Sequence, residues 1–203
     1  MGDYNGVARA LSCGVSADGV GVARGAPLLL ASAQGDARVV ALLLQHNADV
    51  SCITAAGYTP LMTAAIEGNT DVIRLLLEAG ADPNQPTNST TTALAAAAGS
   101  GNATAVELLL AHGADPCAVI PSSGVFHEPP LLCAIRSSES APIVARLIEA
   151  GADVNAPDDE GMTPLRAATE TGRADLVALL LRHGVRHAPL KLAQARPPMN
   201  VAS

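Results

Sequence analysis

The sequence predicts an all-α protein built as a stack of short helical repeats, because three kinds of marker recur with one period. Leucines near the start of five apolar segments are spaced by 33, 33, 37 and 34 residues. A Gly or Asn that closes each Leu-rich segment recurs after 33, 33, 33, 38 and 33 residues, and an Asp follows two residues after four of these closing residues. A shared period of roughly 20–50 residues is the sequence signature of a repeat architecture.

Each repeat is predicted to contain two short helices separated by a glycine break. Thr59 suits the N-cap of the first helix, and Pro60 suits its first turn because the N–H that proline lacks would have no partner there. Gly68-Asn69 separates the helices, Asp71 begins the second, and Gly80 ends it in a left-handed conformation. The apolar positions recur at helical spacing and are Leu61, Ala64, Ala65, Val72, Ile73, Leu76 and Leu77.

A single repeat is too short to fold alone. Isolated helices of fewer than about 12–15 residues are marginal in water. Burial of each leucine contributes about 1.5–3 kcal/mol, and neighbouring repeats must stack to provide that burial. We therefore expect stability to be a property of the array.

Composition and charge exclude several classes of function. The formal net charge of the 203-residue chain is −7, and no block of Lys or Arg supplies the phosphate neutralisation that nucleic-acid binding needs. An anionic membrane surface is disfavoured for the same reason, and no run approaches the ~20 apolar residues of a membrane span. The four cysteines lie far apart in sequence, which is typical of a reducing compartment. We predict an intracellular protein, in the cytoplasm first and the nucleus second.

Two pairs of segments carry a family resemblance. Gly57–Ala65 with Val72–Asn84, and Gly161–Ala168 with Leu176–Gly184, closely resemble the ankyrin repeat. The resemblance implies an ankyrin-type helical repeat solenoid of about five full repeats. The His of the family's Thr-Pro-Leu-His motif occurs in none of them. Because that His ties the turn to neighbouring backbone in the family, its absence predicts a less rigid array.

The resemblance divides the chain into three parts. We assign a degenerate N-terminal half-repeat to residues 1–25, the ankyrin array to 26–187, and a C-terminal half-repeat with a tail to 188–203. The half-repeats are compatible with excision from a larger protein. The initial Met and the Pro-rich final residues are instead compatible with a complete small protein, so both interpretations stay open.

The fourth repeat carries a longer connection at residues 116–128. Sixteen residues separate Asp115 from Leu131, against twelve at the preceding junction. This finger, the extended turn that enters a repeat, contains the chain's one phenylalanine, Phe126. Its apolar residues are either exposed or folded back onto the stack. Pro142 is expected at the first position of the next helix.

No catalytic or metal-binding pattern is present, so we predict neither an enzyme nor a cofactor. His46, His112 and His183 share one position, in the last turn of a second helix, where interaction with the helix C-terminus explains them better than a metal does. A thiol nucleophile formed by Cys117 or Cys133 would need a base and an orienting group that the sequence does not indicate.

The resemblance implies a partner-binding groove lined by finger tips and by exposed positions of the first helices. The acidic run 158–160 is either a solvated turn or part of this contact. The predicted partner-binding residues are Tyr58, Ile66, Glu67, Ser100, Phe126, Arg136, Asp159, Glu160, Met162 and Glu170. Their character indicates a protein partner with basic or small apolar features, bound by a monomeric chain.

Two functions fit this organisation. The first is a protein–protein interaction module or adaptor. The alternative is the substrate-recruiting or targeting portion of a larger enzyme or effector whose catalytic segment lies outside this chain. The fold does not choose between them, because ankyrin-like stacks serve many unrelated processes.

Overall fold

The structure is a computed structural model that describes residues 3–19, 26–85, 91–118, 128–137 and 140–184. These residues form eleven α-helices and no strand, so the predicted all-α fold is confirmed. The helices are α1 (Tyr4–Ser12), α2 (Ala26–Gln34), α3 (Ala37–Gln45), α4 (Pro60–Ile66), α5 (Thr70–Glu78), α6 (Ala93–Gly99), α7 (Ala103–Ala111), α8 (Pro130–Arg136), α9 (Ser140–Glu149), α10 (Pro164–Glu170) and α11 (Ala174–Arg182).

The helices form two layers that follow the repeat register. The first helices α2, α4, α6, α8 and α10 pack one against the next, and so do the second helices α1, α3, α5, α7, α9 and α11. From α2 to α11, each first helix also packs against the second helix of its own repeat. This nearest-neighbour arrangement is typical of a solenoid.

Threonine caps start three of the first helices, as predicted. Thr59, Thr92 and Thr163 have extended backbones, and each hydroxyl accepts a hydrogen bond from the backbone N–H three residues later, at 3.1, 3.0 and 3.4 Å. The fourth repeat replaces the threonine with Pro129, which offers no side-chain cap. Such a cap contributes about 1 kcal/mol, so the start of α8 is held mainly by packing.

Left-handed residues end the helices where the sequence predicts them. Gly68 and Gly80 have φ of 71° and 90°. Asn47 takes the place of that closing glycine with φ of 59°, and it is the one residue other than Gly with a positive φ in the described part of the chain. Asparagine tolerates this conformation better than most residues because its short polar side chain can bond locally.

Two predicted helix starts are wrong by one or two residues. The second helix of repeat two begins at Thr70 after the N-cap Asn69, so Asp71 lies inside the first turn. The helix α9 begins at Ser140, which makes Pro142 its third residue. Backbone N–H groups of the first turn have no intrahelical acceptor, so proline is tolerated throughout it and does not fix the start.

The core repeats along the stack with unchanged chemistry. One leucine of each second helix from α3 to α11 is at most 1% exposed: Leu43, Leu76, Leu109, Leu147 and Leu180. One alanine of each first helix is at most 3% exposed: Ala31, Ala64, Ala97, Ala134 and Ala168. Small side chains between the first helices allow close approach, which explains how the core packs with few aromatic residues.

Side-chain amides connect adjacent repeats. Asn69 Nδ2 donates to Ser32 O at 2.8 Å, and Asn102 Nδ2 donates to Gly68 O at 2.9 Å. Asn84 also donates to the backbone of the following repeat, at 2.7 Å. These bonds link neighbouring repeats in a chain without the family's motif histidine. The lower rigidity expected from its absence stays a prediction.

The N-terminal helix α1 lies in the second-helix layer against α3. The guanidinium carbon of Arg38 lies 4.5 Å from the centroid of the Tyr4 ring, which adds a cation–π contact to this packing. The half-repeat predicted at 188–203 lies outside the described residues, and the predicted segment limits stay predictions.

Candidate functional site

A groove opens between the first helices α2 and α4 and the finger turn of residues 54–58. Its volume is about 440 Å³. Three of the predicted partner-binding residues, Tyr58, Ile66 and Glu67, line it together. We call this feature the apolar groove, and its lining residues are Leu29, Leu30, Thr54, Tyr58, Thr63, Ile66 and Glu67.

The leucines of this groove are not among the partner-binding residues predicted from the sequence. Leu28 is fully buried, whereas Leu30 is 60% exposed. Residues of an α-helix follow one another by about 100°, so three consecutive leucines on a short first helix cannot all face the core. The run Leu28-Leu29-Leu30 therefore indicates an exposed apolar position in repeat one.

The finger turn of the groove is fixed by its own hydrogen bonds. The Thr54 N–H donates to Tyr58 O, and the Tyr58 N–H donates to Thr54 Oγ1, both at 3.0 Å. Repeat five has the same arrangement, in which the Met162 N–H donates to Asp158 Oδ1 at 2.8 Å and the Asp158 N–H donates to Met162 O at 3.0 Å. Thr54 and Asp158 thus hold Tyr58 and Met162 in equivalent places.

Repeat three presents small side chains on the face formed by the first helices and finger turns. The predicted contact Ser100 is exposed, and its hydroxyl shares its single proton between Ala65 O at 3.2 Å and Ala97 O at 3.1 Å. Gly99 precedes it as the last residue of α6. The hydroxyl of Ser100 therefore links repeats two and three, and this part of the face presents little side-chain bulk.

The far end of the face carries ion pairs. Arg136 Nη1 lies 2.8 Å from Glu128 Oε1, and Arg136 Nη2 lies 3.5 Å from Asp158 Oδ2. The Asp158 side chain is only 10% exposed. At the next first helix, Arg166 Nε donates to Glu170 Oε1 at 2.7 Å.

The acidic run therefore divides into two roles. Asp158 stabilises the turn and pairs with Arg136, whereas Asp159 and Glu160 are exposed at its tip. Met162 is half-buried beside them.

Two sets of the predicted site residues lie near one another. Tyr58, Ile66 and Glu67 share the apolar groove, and Arg136 contacts the repeat-five turn through Asp158. Phe126 lies outside the described residues. None of these contacts tests partner binding, so the site stays a proposal.

The half-buried thiols of Cys52 and Cys133 are poorly suited to nucleophilic chemistry. Burial raises the pKa of the Cys133 thiol to about 12, and the charge of Glu128 adds to the shift. Burial also raises the pKa of Cys52, to about 11, with contributions from Asp49 and Asp18. The thiolate is the reactive form of cysteine. Because these pKa values lie far above 7, the thiols of Cys52 and Cys133 are almost fully protonated near neutral pH.

The histidines lie at helix ends. His46, His112 and His183 are the C-cap residues of α3, α7 and α11, one residue after the last turn in which the sequence placed them. Across the described ranges, no three His, Cys, Asp or Glu side chains come together as a metal site would require. In the same part of the chain, none of the helices combines the length and apolar character of a membrane span.

Comparison with known families agrees with the repeat register. The family model described as "Ankyrin repeats (3 copies)" matches residues 4–87, 28–120 and 119–190. The chain belongs to the ankyrin repeat family. Ankyrin repeats form protein–protein interaction modules that are not catalytic in themselves, so the family indicates a protein partner.

Two curated relatives share short segments with this ankyrin repeat chain. The 2-5A-dependent ribonuclease of Homo sapiens is 46% identical over 55 residues, which is 27% of this chain and 7% of the relative. The 2-5A-dependent ribonuclease of Mus musculus is 55% identical over 42 residues, which is 20% of this chain and 6% of the relative. The matches span less than a tenth of either relative.

Proposed function

We propose that this ankyrin repeat protein is an interaction module or adaptor whose partner binds along the first helices and finger turns. The apolar groove carries the proposal. Leu30 is 60% and Ile66 is 41% exposed, and both lie beside Tyr58. Clustered exposed apolar side chains mark interaction sites, and interfaces concentrate their free energy in a few such anchors.

The proposed interface continues along the stack. From the apolar groove it crosses the small surface at Ser100 and reaches the charged end. There it includes Arg136, Asp159, Glu160, Met162 and Glu170, with Phe126 in the adjoining finger. The net charge of −7 and the acidic finger tip of repeat five favour a partner with basic features, and the small central surface favours small apolar ones.

Partner capture tests the interface. The chain and the double variant Tyr58→Ala/Glu67→Arg would be used to capture proteins from a lysate, with identification by mass spectrometry. We expect a partner that the original chain retains and the double variant loses. Glu78→Arg is the control, because it makes the same charge change at an exposed position of the second helix in the same repeat. Equal recovery by all three chains would contradict the proposed interface.

The alternative function is the recruiting portion of a larger enzyme or effector. The short similarity to two proteins named as ribonucleases favours it as a second candidate. An antibody against the chain would measure the size of the native protein on an immunoblot. A band at the 20.4 kDa of this chain supports the adaptor, and a much larger band supports the alternative.

The remaining features of the proposal rest on sequence. We propose a monomer inside the cell, in the cytoplasm or the nucleus, that binds neither nucleic acid nor membranes. Its acidic charge and widely spaced cysteines support these features.

A further inference from the structure

The apolar groove offers a partner few hydrogen-bonding groups. Thr54 Oγ1 accepts from the Tyr58 N–H, and Thr63 Oγ1 donates to Thr59 O at 2.9 Å. A hydroxyl has a single proton to donate, so the donor of Thr63 is already used within the fold. Because Leu29, Leu30 and Ile66 form much of the lining, the groove is complementary to an apolar side chain.

One charged side chain lines this groove. Glu67 is exposed and is the C-cap residue of α4. Among the described residues, no Arg, Lys or His lies within ion-pair distance of it, whereas Glu128 and Glu170 each have an arginine partner. The C-terminal end of a helix dipole is negative, so a carboxylate there is favoured by a nearby cation. Glu67 thus lacks the neutralising group that the equivalent face has in repeats four and five.

We propose that the occupant of the apolar groove is a protein segment with an apolar side chain next to a lysine or arginine. The apolar side chain contacts Leu30 and Ile66, and the cation pairs with Glu67. This inference rests on the proposed function and specifies the partner's chemistry at one end of the interface. Because the cation would sit beside an apolar surface, the ion pair would be partly desolvated and stronger than a fully exposed one.

The negative charge of the protein also disfavours other occupants of the apolar groove. A nucleic acid would bring phosphates toward Glu67 on a protein of net charge −7. A second copy of the chain would bring together two molecules that each carry that charge, and the like charge of the two surfaces opposes their encounter. A basic, apolar segment satisfies both the groove and the carboxylate.

A peptide library tests this inference with the full chain. Random peptides of about a dozen residues, displayed on phage, would be selected on the immobilised protein. We expect the enriched peptides to share an apolar residue within one or two positions of Lys or Arg. Synthetic copies would be measured by fluorescence anisotropy against variants whose helicity is checked by circular dichroism.

The variants separate the two parts of the recognition. We expect Ile66→Asp to weaken binding by at least about tenfold, because it removes an apolar anchor. Glu67→Gln should weaken it by about three- to tenfold at low salt and by less at high salt, where the ion pair is screened. The control Glu78→Gln removes an exposed charge from the other layer of the same repeat and should change the affinity by less than about twofold.

Each contrary result has a distinct meaning. Peptides that need Ile66 but bind equally to Glu67→Gln, or that lack a cation, overturn the inference and leave the groove as an interface. Failure of the library to enrich any sequence, or enrichment independent of Ile66, also overturns it, while the lysate capture decides the proposed function separately. A dimer in sedimentation that Ile66→Asp abolishes would show that a second copy is the occupant, and the inference would be wrong.

Discussion

The two ends of the proposed interface differ at equivalent repeat positions. Ile66, Arg136 and Glu170 occupy the same place on the first helices of repeats two, four and five. Ile66 is 41% exposed in the apolar groove, whereas Arg136 pairs with Glu128, and Glu170 pairs with Arg166. One end therefore presents apolar surface to solvent, and the other satisfies its charges within the protein.

This difference indicates that folding and partner recognition depend on different residues of the array. The buried leucines of the second helices are the same in every repeat, so the backbone and packing are maintained. Exposed positions of the first helices contribute little to that core and can vary. We infer that the free energy of binding is concentrated at the apolar end, where solvent-exposed carbon remains to be buried, rather than at the charged end.

The largest expected effect is on thiol reactivity at the two ends. Burial raises the pKa to about 11 at Cys52 in the second repeat and to about 12 at Cys133 in the fourth. Below both pKa values, the thiolate fraction rises tenfold per pH unit and is about tenfold lower for Cys133 than for Cys52. Labelling by iodoacetamide at mildly alkaline pH should modify the exposed Cys13 and Cys117 first and Cys133 last, with labelling rates that differ by at least about 100-fold. Peptide mass spectrometry measures the order in which the cysteines are labelled. Early modification of Cys133 would show that solvent reaches the packed region around α8.

A second prediction compares the same substitution in the core and in the groove. Leu109 is fully buried between repeats, so Leu109→Ala should lower the free energy of unfolding by about 2–5 kcal/mol. Leu30→Ala makes the same change at a side chain that is 60% exposed and should cost less than about 0.5 kcal/mol. Urea unfolding followed by circular dichroism measures both. Similar losses would mean that Leu30 belongs to the core and that the groove is not a free surface.

A third prediction concerns the link between repeats two and three. Asn102 donates to Gly68 O at 2.9 Å and caps α7 by accepting from the Ala105 N–H at 3.0 Å. Asn102→Ala removes both bonds and should lower the free energy of unfolding by about 1–2 kcal/mol. Thr104→Ala, at an exposed position of the same helix, is the control. If both variants unfold at the same urea concentration, this amide does not hold the repeats together.

The smallest effect is expected at the charged end. The Arg136 side chain is 48% exposed, so its ion pairs are screened by solvent, and Arg136→Ala should change the free energy of unfolding by less than about 1 kcal/mol. High salt should reduce the difference between variant and parent further. A loss of several kcal/mol in urea unfolding would show that the charged end is part of the stable core and would remove the contrast with the apolar groove.

The repeat register predicted most of the fold because it specifies local chemistry. Thr59 and Pro60 start a helix, Gly80 and Asn47 end helices, and the apolar spacing identifies the buried side. The starts of α5 and α9 could not be placed as closely, because several residues in a first turn are compatible with the same cap.

The candidate site was less predictable from the register. Tyr58, Ile66 and Glu67 share a groove as expected, but the exposure of Leu30 depends on which side of α2 meets α4. Likewise, Arg136 reaches Asp158 in the next repeat only because stacking brings their side chains to 3.5 Å. Distances between side chains of neighbouring repeats are set by packing and cannot be derived from the sequence period.

The most direct test of the central claim is the affinity of the captured partner for two matched variants, measured by calorimetry. Ile66 and Leu181 are 41% and 42% exposed, but only Ile66 lines the apolar groove. We expect Ile66→Asp to weaken binding by at least about tenfold and Leu181→Asp to change it by less than about twofold. Equal affinities for both variants, or a greater loss with Leu181→Asp, would contradict recognition through the groove.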